Sequence, residues 1–300
     1  MTRIRKHEEN PLPELLDGGG YGKKGEPETA AAFGRNDAKN ELSRAKGNFS
    51  TAARTASGSR LFYGWSLCAA ALLLLIFAPP TLLVAWAAGR REWVYPVAQW
   101  GARMWLRLSM VRVRVRGHEH VDPGQTYVFI SNHRSYLDTA TLFGQTGRRM
   151  GILAKKELLK VPILGYGMGY VNIMAIDRSN RERALQTVQA ATARIRSGVS
   201  FGVFAEGTRA LPGKLLPFKK GAFYMAIEAG VPIVPVAMKN TDELMGKKTG
   251  RARPGLIEMV WLEPIATHEL STDEDVARLI EDVHTRIAAE LAKPMAQADN

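Results

Sequence analysis

In the segment Asn132-His133-Arg134-Ser135-Tyr136-Leu137-Asp138, a histidine and a carboxylate lie five positions apart, directly behind the apolar run Tyr127-Val128-Phe129-Ile130. An unperturbed imidazole titrates near pH ~6.5, so it accepts a proton at neutral pH. A carboxylate beside it can fix its tautomer and stabilise the imidazolium that forms. The spacing restricts how the two can meet. On one continuous helix, five residues turn through ~500°, which leaves the side chains about 140° apart. The pair meets only if His133 lies on the turn before a helix and Asp138 in its first turn. A strand, then Ser131-Asn132, then a helix start supplies that geometry. The same residues admit a plainer reading. Ser135 and Asp138 stand at capping-box spacing, with Ala140-Thr141-Leu142-Phe143 following. In that reading Asp138 satisfies backbone donors and His133 is a loop residue.

A second polar turn, Glu206-Gly207-Thr208-Arg209, follows the apolar residues before Phe204-Ala205. A strand edge that ends in a glycine-containing loop positions that loop rigidly. Gly207 allows close backbone approach, and Arg209 offers a planar fork suited to phosphate. Alone, such a turn is equally a surface salt bridge.

The elements that must carry these turns alternate between strand and helix. Apolar runs predict strands at 127–131, 149–154, 171–176, 199–204, 233–238 and 256–262. Residues 179–197 carry the helical stripe Ala184, Leu185, Val188, Ala191 and Ile195, closed by Gly198. Residues 222–229 form a helix stopped by Gly230, and 271–291 a closing helix capped by Ser271 or Thr272. Val111 to Arg116 alternates strictly, which predicts a strand with Arg112, Arg114 and Arg116 on one face, solvated or set against anionic headgroups. The pattern predicts an α/β fold, a mixed sheet covered by helices, over residues 111–292. No internal repeat is present.

Upstream the chain changes character. Residues 1–59 mix both charges with Gly, Pro, Ser and Asn, and are expected to be a disordered tail, with a short helix conceivable near 29–33. Residues 61–89 hold no charged side chain over 29 positions, against the ~20 needed to cross a bilayer core. Pro79-Pro80 predict a break or kink there. Either one kinked crossing or a re-entrant pair satisfies that run. Trp93, Val97, Trp100, Met104, Trp105 and Leu108 then follow helical spacing, with Arg103 and Arg107 on other faces. Such a helix fits a lipid interface, or packs on the domain. Residues 60–110 are therefore read as a membrane-anchoring helical segment.

Composition agrees with an anionic partner: 300 residues carry a formal net charge of +12. Zinc-finger, RNP-type and basic heptad patterns are absent, which argues against nucleic acid. Cys68 stands alone, so there is neither an intrachain disulfide nor a cysteine metal site, and no metal is expected. The N-terminus lacks the apolar core of a secretory signal.

Taken together, Asn132–Asp138, Ile176-Asp177-Arg178, Glu206–Arg209 and Val231-Pro232-Ile233-Val234-Pro235-Val236 resemble, in order, the sequence blocks of the glycerolipid acyltransferases. Lys155-Lys156-Glu157-Leu158 and Phe218-Lys219-Lys220-Gly221 resemble that family too, most of all its bacterial 1-acylglycerol-3-phosphate acyltransferases. The resemblance spans roughly residues 95–265. Three positions depart from it: Ala205 replaces a proline, while Asn172 and Ala175 replace a glycine and an aromatic.

The resemblance implies transfer of a fatty acyl group from acyl-CoA or acyl carrier protein to the sn-2 hydroxyl of 1-acylglycerol 3-phosphate, giving phosphatidic acid. His133 would be the general base, with Asp138 orienting it. Arg178, Glu206, Gly207, Thr208, Arg209 and Lys155 would bind the phosphorylated acceptor. The donor is a substrate, so no cofactor is implied. The implied partners are the bilayer and a lysophospholipid; the implied location is the bacterial inner membrane, catalytic domain on the cytoplasmic side. Rival acceptors are a lyso-ornithine lipid or glycerol 3-phosphate. A reading of another class is a non-catalytic module that binds anionic lipid through Arg103, Arg107 and the Arg112/Arg114/Arg116 face. A soluble thioester hydrolase is more remote, since no Gly-x-Ser-x-Gly elbow exists.

Overall fold

Strand-forming runs of Val, Ile, Phe and Met alternate with helical stripes, and the chain folds accordingly. The computed structural model describes residues 58–296. The tail expected to be disordered, and the helix near 29–33, lie outside the described residues except for residues 58–59. Seven strands form one sheet: β1 (Val111–Arg116), β2 (Val128–Ser131), β3 (Met150–Lys155), β4 (Ile173–Ile176), β5 (Ser200–Phe204), β6 (Ile233–Lys239) and β7 (Gly255–Trp261). Their order is β1-β7-β6-β2-β5-β3-β4. Neighbours run parallel except β6 and β7. β2 and β5 sit at the centre with Ser131 beside Phe204. The loops that follow these two strands therefore emerge side by side at one sheet edge.

Eight α-helices are present among the described residues: α1 (Arg60–Ala87), α2 (Val94–Leu108), α3 (Leu137–Gln145), α4 (Leu164–Met168), α5 (Arg181–Arg196), α6 (Gly221–Ala229), α7 (Thr241–Met245) and α8 (Asp273–Ala292). On one face, Val188, Ala191 and Ile195 of α5 join Phe223 of α6 and Val283 and Ile287 of α8. On the other, Leu82 and Ala85 of α1, Tyr95 of α2 and Leu142 and Phe143 of α3 pack on Phe129, Met150 and Trp261. Thr272 and Asp275 cap α8 reciprocally, and Gly230 ends α6 at φ +68°.

Three differences from the sequence reading have local causes. β4 starts at Ile173 rather than residue 171, because Gly169–Val171 forms a 3₁₀ turn and Asn172 takes φ +53°. Asparagine tolerates that left-handed conformation, so it stands in for the family's glycine there. Of the break or kink expected at Pro79-Pro80, the break does not occur: α1 runs through both prolines as one helix. Thr81 follows the prolines and donates its hydroxyl to the Phe77 carbonyl at 2.6 Å. Finally, the tryptophans of α2 do not all face outward. Trp100 meets Phe77 of α1 edge-on at 4.8 Å, and the Trp105 indole donates to the Ser66 carbonyl at 2.8 Å.

α1 and α2 form an antiparallel hairpin held at both ends. The Trp65 indole donates to the Leu108 carbonyl at 2.9 Å, and the Ser66 and Ser109 hydroxyls are 2.6 Å apart. Ser59, which caps α1, exchanges two backbone hydrogen bonds with Ala252, at 2.9 and 3.2 Å. At the far end Leu82 and Ala85 enter the core. Between these fixed ends Leu72, Leu75 and Ile76 stay exposed, as do Leu83, Val84 and Trp86 at the far end.

Candidate active site

Asn132 and His133 continue from β2 on the turn before α3, and Asp138 occupies the first turn of α3. That is the one arrangement in which the five-residue spacing closes. His133 Nδ1 lies 2.9 Å from Asp138 Oδ2. The same oxygen accepts the backbone N–H groups of Arg134 and Ser135, each at 2.7 Å. The capping reading therefore holds, and the same carboxylate also meets the imidazole, as the catalytic reading requires. Asp138 satisfies the orphan donors of the turn, and by holding that turn it aims the imidazole. Asp138 is fully buried, and its Oδ1 has no hydrogen-bond partner among the described residues.

A carboxylate only accepts, so Nδ1 must carry the proton of a neutral imidazole and Nε2 the free lone pair. No described residue bonds Nε2, and the His133 side chain keeps 18% of its surface exposed. Phe204, the last residue of β5, stacks on the imidazole with centroids 4.2 Å apart and planes at 21°. The amide of Asn132 donates to the Met238 carbonyl at 3.0 Å and accepts the Met238 N–H at 2.8 Å, which ties the turn to β6. Ser135 donates its hydroxyl to the Met245 carbonyl at 2.7 Å and accepts the Leu137 N–H at 3.1 Å. It holds the turn and is not placed as a nucleophile.

The 206–209 turn locks onto this loop from β5. Glu206 is buried, with Oε1 accepting the His133 N–H at 2.6 Å and Oε2 the Leu216 N–H at 2.8 Å. Burial pushes its pKa up, and these two backbone donors act against that rise. Both carboxylate oxygens thus face backbone, and the side chain ties three segments together instead of reaching outward. The Ala210 N–H donates to the His133 carbonyl at 2.7 Å, closing the connection. Gly207 sits at φ +70°, which a side chain would strain. Thr208 is exposed. The Arg209 guanidinium lies 3.6 Å from the centroid of the Tyr136 ring, and Lys247 bonds the Arg209 carbonyl.

β3 and β4 are parallel to β2 and β5, so Lys155 and Arg178 emerge at the same sheet edge as His133. Lys155 is exposed, 3.3 Å from Glu157. Arg178 has no hydrogen-bond or ion-pair partner among the described residues, while Asp177 beside it is tied to Lys156 at 2.7 Å. Neither Lys155 nor Arg178 is bonded to the dyad. The Tyr136–Arg209 stack and the Arg134–Asp242 pair at 3.5 Å were not foreseen from sequence. Tyr136 lies inside the motif, but nothing local signals which distant cation lands on it. Among the described residues, no group of three His, Cys, Asp or Glu side chains is arranged to hold a metal ion.

This geometry suits proton abstraction from a hydroxyl, beside cations suited to a phosphate. Known proteins resemble the chain that carries it. Residues 112–239 match the acyltransferase family model. The chain is 37% identical over 175 residues to the mouse 1-acyl-sn-glycerol-3-phosphate acyltransferase alpha, covering 58% of this chain and 61% of that protein. It is 34% identical over 188 residues to the 1-acyl-sn-glycerol-3-phosphate acyltransferase of Limnanthes douglasii, covering 62% and 66%. The match thus spans about three fifths of the mouse relative's length. The crystal structure of the 1-acyl-sn-glycerophosphate (LPA) acyltransferase from Thermotoga maritima superposes with a TM-score of 0.69 at 25% identity, covering 79% of this chain and 97% of that one. The dyad lies inside the matched region, and over residues 112–239 the chain carries an acyltransferase-family domain.

Proposed function

We propose that this protein moves a fatty acyl group from the thioester of acyl-CoA or acyl carrier protein to the sn-2 hydroxyl of 1-acylglycerol 3-phosphate, forming phosphatidic acid. The observation that carries this reading is the His133–Asp138 pair, with Nε2 open, at a sheet edge that also presents Arg178 and Arg209. His133 Nε2 takes the proton of the acceptor hydroxyl as its oxygen attacks the thioester carbonyl. The tetrahedral intermediate collapses, the C–S bond breaks, and the imidazolium returns the proton to the leaving thiolate. Asp138 stabilises the imidazolium between these steps. No covalent acyl-enzyme is needed. Arg178 and Arg209 hold the acceptor phosphate, with Lys155 adding positive charge. Gly207 and Thr208 shape that turn, and Glu206 serves acceptor binding indirectly, by fixing it.

The lipid substrate calls for a membrane site, and the helical hairpin supplies one. α1 is 28 residues long and apolar enough to cross a bilayer. Its first end is hydrogen-bonded to the catalytic domain through Ser59 and Ala252, however, and its far end packs into the core through Leu82 and Ala85, which supports keeping both ends on one side of the bilayer. The re-entrant alternative therefore fits better than a single crossing: α1 lies within one leaflet, its exposed leucines in the acyl region. That leaflet is the cytoplasmic one of the bacterial inner membrane, where both acyl donors are found. The non-catalytic lipid-binding reading loses support, because Arg103 donates to the Gly144 carbonyl at 2.8 Å and Arg114 to that of Ala296 at 2.6 Å.

The test is an acyl-transfer assay on the purified chain, with labelled acyl-CoA and acyl carrier protein as donors. The acceptors are 1-acylglycerol 3-phosphate, glycerol 3-phosphate and a lyso-ornithine lipid. Labelled phosphatidic acid is expected. Label in only one of the other two acceptors would reassign the acceptor, and label released solely as free fatty acid would reject transfer.

A further inference from the structure

The segment after β3 exposes apolar side chains that no described residue covers. Leu158, Leu159 and Val161 follow on a 3₁₀ turn (Lys156–Lys160) and its exit, and Tyr166 stands on α4. Leu159 is 55% exposed and Tyr166 64%. A soluble surface scatters such residues singly; four within nine positions need a partner.

The backbone holds this presentation against strain. Ile163 takes φ +65°, ψ −54°, and the Leu164 N–H donates to the Pro162 carbonyl at 2.6 Å. This is a γ-turn of the strained hand, centred on a β-branched residue. Gly165 lets α4 fold tightly onto the 3₁₀ turn, because a Cβ there would stand 2.3 Å from the Leu159 carbonyl oxygen. The result is a tightly folded foot with its apolar side chains outward.

The foot is continuous with the hairpin. α4 packs on α1, with Gly167 against Leu82. The Tyr166 hydroxyl is 3.1 Å from that of Tyr170, and Arg91, just beyond α1, lies 5.5 Å from the Tyr170 ring centroid. Leu83, Val84 and Trp86, exposed on α1, follow Leu82 in the chain. Lys155 and Lys160 flank the foot and are exposed. Apolar side chains ringed by lysine, with a tyrosine, match the boundary between acyl chains and anionic headgroups.

We infer that residues 156–168 form a second membrane-docking foot, which enters the leaflet that receives α1 and thereby fixes the tilt of the catalytic edge over the bilayer. This rests on the reading of α1 as membrane-embedded, and the test separates the two. Full-length protein is labelled with an environment-sensitive fluorophore at Cys68 on α1, or at Leu159→Cys in a Cys68→Ser background. It is mixed with vesicles of phosphatidylethanolamine and phosphatidylglycerol that carry a spin-labelled quencher in the acyl region. Quenching at both positions is expected. Quenching at Cys68 alone would overturn the foot and leave the α1 reading standing. Quenching at neither would overturn both. Protection of the Leu159 label only on adding acyl carrier protein would assign the surface to a protein and overturn the lipid proposal. The double variant Leu159→Ser/Tyr166→Ser is expected to bind the same vesicles about tenfold more weakly, as loss of two partly buried side chains predicts. Its circular dichroism and its turnover of a short-chain, micelle-free acceptor should not change. Unaltered vesicle affinity would count against the foot.

Discussion

At the scale of single residues, the site depends on one carboxylate oxygen with three donors. Asp138 Oδ2 receives His133 Nδ1 and the Arg134 and Ser135 N–H groups. Asparagine in its place presents an amide that can donate to Nδ1, which favours the wrong tautomer. Asp138→Asn is therefore expected to lower the transfer rate by ~10³–10⁴. It should also cost about 2 kcal/mol of stability, because charge-assisted bonds to a buried oxygen are lost. Initial rates and urea melts measure the two separately; a full-rate variant would remove Asp138 from the mechanism. Tyr136 makes a different prediction. Its ring, 3.6 Å from the Arg209 guanidinium, parks that cation. A cation–π contact is worth roughly 0.5–2 kcal/mol. Tyr136→Ala should raise the apparent KM for the phosphorylated acceptor roughly threefold to tenfold, with kcat nearly kept, and Tyr136→Phe should restore it. An unchanged KM in the alanine variant would show that Arg209 does not depend on the ring.

At the scale of elements, local pattern told most of the strands and helices but not what their side chains face. The apolar runs that mark β2, β5 and β6 are short, and their ends are set by turn residues the sequence displays, such as Gly198 and Gly230. The Asn132–Asp138 spacing dictated a strand–turn–helix, and that is how it folds. Glu206 looked like an outward carboxylate because its turn is polar, yet its partners are His133, 73 positions back, and Leu216, 10 ahead. The alternating Val111–Arg116 strand concealed a similar distance effect. Arg116 pairs with Glu258 of β7 at 3.4 Å, and Glu258 also lies 3.4 Å from Lys239, which meets Glu290 of α8 at 2.8 Å. Such pairs are set by sheet order, which period-two alternation does not contain. One element-level prediction concerns acid. Asp177, at the end of β4 next to Arg178, is held down to a pKa of about 2, chiefly by Lys156 and by Ser179. Its folded pKa lies below the usual 3.8, so the stability it contributes is present above that value. It is lost as pH falls from there through about 2. Urea melts of the protein and of Asp177→Asn should differ by a constant amount above pH ~5 and converge towards pH ~2. Parallel curves throughout would mean that Asp177 is not coupled to folding.

At the scale of the whole molecule, the His133–Asp138 pair, half-buried on the histidine side, shares one body of packed elements with a helix face suited to lipid. α1 is hydrogen-bonded at one end and packed at the other to the domain that carries His133, which couples the apolar helix face to the sheet edge that bears the dyad. That coupling was not legible in residues 61–89, where one crossing and a re-entrant pair were equally compatible. The backbone pairing of Ser59 with Ala252 joins segments nearly two hundred positions apart. The most direct measurement compares initial rates of acyl transfer from labelled acyl-CoA to 1-acylglycerol 3-phosphate in bilayers by the protein and by His133→Ala. A positioned general base contributes typically ~10²–10⁴ in rate, so the variant should fall by at least ~10² while its melting temperature and vesicle binding hold. Turnover by His133→Ala close to that of the unaltered protein would contradict the account.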